Sequence, residues 1–174
     1  MKKALITLTI IISIYMFIGV KAEEIIEIPN DAIRIRVLAN SNEEYDQNIK
    51  TKVKEEVQVY MYDLLKDVKT TEEAKQVIEK NMKNLNKKIG NYLHQLNYNE
   101  SFDINFGLNY FPEKEYKGIK YKEGLYESLL IKLGEGKGNN WWCVLFPPLC
   151  LLEAEESDEI EYKSLVKEII EKYF

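Results

Sequence analysis

Two cysteines, a single histidine and a glycine-rich tract are the parts of this sequence whose residue types could do chemistry. Both cysteines lie in "GEGKGNNWWCVLFPPLC", Gly134 to Cys150. Alternating glycines suggest a phosphate cradle. A P-loop, however, needs four residues between its glycines and a Lys followed by Ser or Thr, and here Gly138 follows Lys137. A dinucleotide fingerprint needs a helix after the glycines, whereas Trp141-Trp142 and a predicted strand follow. Thiol catalysis needs an activated thiolate, usually with a histidine base. The one histidine, His94, falls near the end of an amphipathic pattern, and Cys143 sits between Trp142 and Val144 in a predicted buried strand, a setting that leaves a thiol inert. One histidine and no clustered Cys/His pairs give no metal set, and no cofactor is expected. Carboxylates are plentiful, but no pair stands out for acid–base work.

What remains is a rigid surface element. Glycines permit tight turns and Pro147-Pro148 fixes the backbone. In an exported chain Cys143 and Cys150 would form a disulfide over the prolines; two buried thiols are the alternative. If the strand alternates, Trp141 or Trp142 faces outward, where it suits a partner contact. The competing reading is a sheet covered on both faces. The predicted contacts are Glu135, Lys137, Asn140, Trp141, Trp142, Pro147 and Pro148, joined by Arg34 and Arg36. These two are the only arginines of the chain, and they share a predicted strand face with Leu38. A buried charge without a partner is costly, so both guanidinium groups are expected to reach solvent or carboxylates.

The compartment follows from the N-terminus. Lys2 and Lys3 precede an uncharged run from Ala4 to Val20, and Val20-Lys21-Ala22 offers small residues for a cut. These are the parts of a secretory signal peptide over residues 1–22; retention as a short membrane anchor is the alternative. The rest, residues 23–174, reads as a single domain without repeats or long linkers. Taking out Lys2, Lys3 and Lys21 leaves 21 basic against 29 acidic side chains, a net charge of −8. That balance argues against nucleic acid as a partner.

The elements that must position these residues are legible from periodicity. "AIRIRVLA" (Ala32 to Ala39) alternates as a strand. Ser41 and Glu44 fit a capping box opening a helix striped by Tyr45, Ile49, Val53, Val57, Tyr60, Met61, Leu64 and Leu65. A second box, Thr70 with Glu73, opens a helix striped from Ala74 to Leu96, in which Gly90 marks close packing or an early end. Strands follow from Phe102 to Tyr110, Leu125 to Leu133 and Trp141 to Phe146, and Asp158 with Glu161 opens a last helix. The order β-α-α-β-β-β-α predicts a two-layer α+β domain, its mainly antiparallel sheet packed on a helical hairpin.

"IRIRVLANSN" together with "GLYESLLIKLGEGKGNNWWCVLFPPLC" resembles the stage II sporulation protein R family of endospore-forming bacteria. The resemblance spans about Ile33 to Glu153. Arg34, Arg36, Ala39, Asn40 and Ser41 match its first block; Tyr126, Glu135, Lys137, Asn140, Trp141, Trp142, Cys143, Phe146, Pro147, Pro148 and Cys150 match its second. It implies a non-enzymatic signal, exported from the forespore into the intermembrane space. There it would trigger a membrane-embedded aspartic-type protease in the mother cell, which processes the sigma-E precursor. The resemblance brings no catalytic residues with it. A secreted thiol-dependent or cell-wall-acting hydrolase is the rival reading.

Overall fold

The structure, a computed structural model, describes residues 26–116, 119–151 and 159–174. The signal segment over residues 1–22 and the Asp158 cap lie outside the described residues. Strands β1 (Ile26–Glu27) and β2 (Ile33–Leu38) lead into helices α1 (Glu44–Leu65) and α2 (Thr71–Gln95). Strands β3 (Phe102–Phe111), β4 (Lys114–Tyr116), β5 (Ile119–Tyr121), β6 (Gly124–Leu133) and β7 (Asn140–Phe146) follow, then a short 3₁₀ turn and α3 (Glu159–Tyr173). The order predicted from sequence is that of the main elements.

The main sheet runs β3-β6-β2-β7. β3 and β7 are antiparallel to their neighbours, while β2 and β6 pair in parallel at its centre, Ile35 opposite Leu129 and Val37 opposite Ile131. The helical hairpin does turn β3 against β2 in direction, but β6 lies between them. Three strands of two or three residues, β1-β5-β4, make a second small sheet that the sequence reading did not foresee.

Local chemistry explains the helices. The Thr70 hydroxyl accepts a hydrogen bond from the Glu73 amide at 3.3 Å, as its capping box predicts. α1 differs: Glu43 is its N-cap and gives no side-chain bond. The Ser41 hydroxyl accepts from the Glu43 amide at 3.1 Å and donates to Asp46 Oδ2 at 2.6 Å, so Asp46 takes it away from the first turn. α2 runs through Gly90, where an added methyl would press on the Phe102 ring; close packing is therefore the reason for that glycine. It is capped by Leu96, and the next residue, Asn97, has a positive φ of 56° that lets the Tyr98 amide bond to Leu93 O, while the Asn97 amide bonds to His94 O, closing two carbonyls at the helix end.

Ile33, Ile35, Val37, Leu129, Ile131 and Leu133 are buried against Ile49, Val53, Val57, Ile78, Leu85 and Ile89 of the hairpin. Fully burying side chains of this size contributes roughly 1.5–3 kcal/mol each. The other face is partly closed by the small sheet and α3, around Ile28, Ala32, Ile119, Val144, Leu149 and Val166. The cover over this second face is partial, and Arg36 and Trp142 remain half-buried on it.

Candidate partner-binding surface

Topology dictates the first feature. β6 and β7 flank β2, one parallel and the other antiparallel to it. The turn that joins them must cross the end of β2 where the chain leaves at Ala39. Residues 39–42 and 134–139 accordingly clasp each other. The Lys137 amide donates to Asn40 O at 3.0 Å, and the Gly138 amide donates to Ala39 O at 2.9 Å. The Asn139 amide donates to Asn42 Oδ1 at 2.6 Å. Asn40 is the pin: its Oδ1 accepts from the Glu135 amide at 2.9 Å, and its Nδ2 donates to Asp46 Oδ2 at 2.9 Å. Asp46 is 6 % exposed, so its carboxylate draws both known donors, Asn40 and Ser41, from this loop.

Glycine is required here for two different reasons. Gly134 has φ of 55° and abuts the Asn40 side chain, with no room for a methyl. Gly138 would drive a methyl into the backbone carbonyl of Ser41. The glycines serve a close crossing of chains rather than a phosphate. Only the tip of the turn is free: Glu135 and Lys137 are exposed and ion-pair at 2.6 Å. Each favours the other's charged form, the Glu135 carboxyl held below and the Lys137 ammonium above its ordinary pKa.

The predicted contact residues do not form one patch. Glu135 and Lys137 sit before β7 and Pro147-Pro148 after it; a seven-residue strand separates the two ends by roughly 20 Å. Asn140 pairs with Leu38 at the strand's start. The tryptophans project to opposite faces and both are half-buried. Trp141 packs against the helix-side core with Lys54 Nζ 5.7 Å from its ring. Trp142 meets Phe111 edge-on at 5.4 Å. Neither stands free on the surface, which is the covered-sheet alternative.

Arg34 and Arg36 share a face, as expected, but the expectation that both reach solvent or carboxylates fails for Arg34, whereas Arg36 is only half-buried. Arg34 is 2 % exposed and lies over the Tyr126 ring at 3.4 Å, with Phe111 at 5.3 Å and Tyr121 at 5.9 Å. Its Nη2 reaches Lys122 O at 3.5 Å, an acceptor it shares with the Tyr126 hydroxyl. Three aromatic faces take the place of a carboxylate, and burial pulls its guanidinium below its ordinary pKa. Arg36 faces Trp142 across β2 and β7, 5.1 Å from its ring, and burial lowers it too.

Beyond β7, Cys143 and Cys150 are free thiols in the structure, the two-thiol alternative rather than the expected disulfide. Both donate to Val144 O, Cys150 at 2.9 Å and Cys143 at 3.7 Å. Burial, with the Cys143 thiol beside it, pushes the Cys150 thiol well above its ordinary pKa. Pro148 and Cys150 line a small, shallow apolar dent with Met61, Tyr62, Leu65 and Leu145. His94 is exposed in the last turn of α2 and bonds to neither thiol. Among the described residues no three His, Cys, Asp or Glu side chains gather as metal ligands, and no helix is long and apolar enough to cross a membrane.

The site is thus a set of surfaces on a small α+β domain rather than a cleft lined by reactive groups. The chain belongs to the stage II sporulation protein R family, whose sequence model matches residues 29–156. Stage II sporulation protein R of Bacillus subtilis (strain 168) is 36% identical over 168 residues, covering 88% of this chain and 75% of that protein. No solved structure matches this chain. Membership assigns the protein a role in sporulation.

Proposed function

We propose that this protein is a signal of endospore formation, exported from the forespore into the intermembrane space. It activates a membrane-embedded aspartic-type protease of the mother cell, which then processes the sigma-E precursor. The observation that carries this reading is family membership over residues 29–156, a span that includes the whole clasp and β7. An activating ligand must bind the active state of its receptor better than the inactive one. Bringing two protease protomers together is one such route, because an aspartic site needs two carboxylates sharing a proton. The exposed Glu135–Lys137 tip and the face carrying Arg36 and Trp142 are the surfaces offered for that contact. Against the thiol-hydrolase reading stand the Cys150 thiol, bonded to Val144 O and raised above its ordinary pKa by burial, and the exposed His94, which bonds to neither thiol.

The test is reconstitution. Purified protein is added to membranes carrying the candidate protease together with the sigma-E precursor. A shorter sigma product that forms only with the added protein supports the reading. No processing under any condition, with clearing of cell-wall suspensions by the protein alone, would replace it with the hydrolase.

A further inference from the structure

The sheet face away from the helical hairpin carries a cluster of donors without acceptors. Of the chain's 24 basic residues only Arg34 and Arg36 are arginine, and β2 places both on this face. Among the described residues neither is within ion-pairing distance of a carboxylate. Arg34 Nε, Arg36 Nε and Trp142 Nε1 are all buried without a hydrogen-bond partner. Lys114 adds a second cation to the same indole, its Nζ 5.4 Å from the Trp142 ring, and is itself exposed. Two carboxylates of the small sheet and its flank are engaged elsewhere, Glu113 with Lys120 at 3.3 Å and Glu27 with Lys122 at 2.6 Å.

Two cations on one aromatic ring repel each other, and enclosed N–H groups without acceptors are destabilising. A net-negative chain with spare carboxylates could have neutralised them cheaply. Arginine rather than lysine at both β2 positions matters as well, because the guanidinium fork matches a carboxylate in a way an ammonium cannot.

We infer that Arg36 and Lys114, ranged on the Trp142 ring, form a binding site for a carboxylate side chain of an acidic segment of the partner protein. This deepens the signalling reading, on which the identity of the partner rests; the carboxylate site itself can be tested without it. Arg36 is the fork, Lys114 the second charge, and the indole the wall that lowers the local dielectric and strengthens both.

The probe is a capped tri-glutamate peptide titrated into full-length protein with ¹⁵N-labelled tryptophan, ionic strength held constant. The Trp142 indole resonance, assigned with Trp141→Phe, should shift saturably while that of Trp141 stays in place. The tri-glutamine peptide should do nothing. Lys114→Gln, at an exposed position, should weaken binding about tenfold with an unchanged melting temperature, and Arg36→Lys should weaken it by at least as much. No saturable shift at millimolar peptide, or equal binding by Lys114→Gln, overturns the site. Inorganic phosphate binding as tightly as the peptide also overturns it, in favour of a general small-anion site. Peptide binding lost with processing intact removes this site alone. Peptide binding intact without any processing removes the signalling reading alone.

Discussion

Asn40→Ala should be the most informative single change in the clasp. Asn40 gives one bond to the buried Asp46 carboxylate and takes one from the exposed Glu135 amide, both at 2.9 Å. A bond to a buried charge is worth about 1.5–3 kcal/mol, and a neutral one about 0.5–1.5. Water can replace Asn40 at the Glu135 amide but not easily at Asp46, so the expected loss is about 2–4 kcal/mol. For a chain of this size that lowers the melting temperature by roughly 5–15 °C. The same structure predicts coupling. Gly134→Ala pushes a methyl into the Asn40 side chain and strains a φ of 55°. In an Asn40→Ala background the two worst contacts, with Oδ1 and Cγ, disappear, and what remains is the Cβ contact at 2.9 Å together with the backbone strain, about 1–2 kcal/mol. Urea melts of the four proteins of this cycle measure the difference. Additivity within about 0.5 kcal/mol, or an Asn40→Ala loss below about 0.5, would refute the clasp as the element that holds the turn.

Tyr98 is 7 % exposed and its hydroxyl has no partner, so Tyr98→Phe should be stabilising by about 1 kcal/mol at neutral pH. Burial, with Asp46 nearby, raises the Tyr98 pKa to about 12 from its usual 10. The unfolded chain therefore releases this proton first: the contribution is whole below pH 10 and lost as pH rises through 12, roughly 2–3 kcal/mol in all. Melts of wild type and Tyr98→Phe should diverge over that window; parallel alkaline limbs would show that the hydroxyl is solvated. Lys137→Ala removes an exposed ion pair and should leave the melting temperature unchanged while weakening protease activation; proportional losses in both would make the tip scaffold. Trp141→Ala and Trp142→Ala should each cost about 2–4 kcal/mol because both rings are packed, and equal-to-wild-type stability in either would contradict the covered sheet. The disulfide expected in exported protein would replace the free thiols seen here: peptide mapping without reductant should then find Cys143 joined to Cys150 with both thiol hydrogens lost, and free thiols would end that expectation.

Features set by neighbours in sequence were legible. Thr70 and Glu73 are three residues apart, and the apolar stripes of α1 and α2 reach the core as spaced. Of the two readings open for Gly90, close packing is the one the Phe102 ring bears out, and the early end is not. Ser41 shows the limit of local reading: its capping pattern is intact, but Asp46, two residues beyond the expected partner, competes for the hydroxyl at 2.6 Å. Arg34 could not be read, because the rings of Phe111, Tyr121 and Tyr126 come from strands far along the chain. A period-2 pattern marks which side an arginine takes without saying what covers that side. The strands of β1, β4 and β5 are too short to show any period, so the second sheet and the cover it provides were invisible.

The two sequence blocks that carry the family resemblance are explained by one crossing. "IRIRVLANSN" supplies the central strand and the loop that leaves it; "GEGKGNNWWC" supplies the turn that must pass over that loop. Gly134, Gly138, Asn40 and Ser41 have steric and hydrogen-bonding reasons to be what they are, and those reasons concern folding. Lys114, outside both blocks, and the exposed Lys137 have no such reason, since neither packs in the core. Arg36 is intermediate, held by β2 but left without an acid. A partner surface should be sought where residue identity exceeds what the fold requires. By that criterion the Arg36, Lys114 and Trp142 face is a stronger candidate than the glycines that first draw the eye, and the Glu135–Lys137 tip is the second.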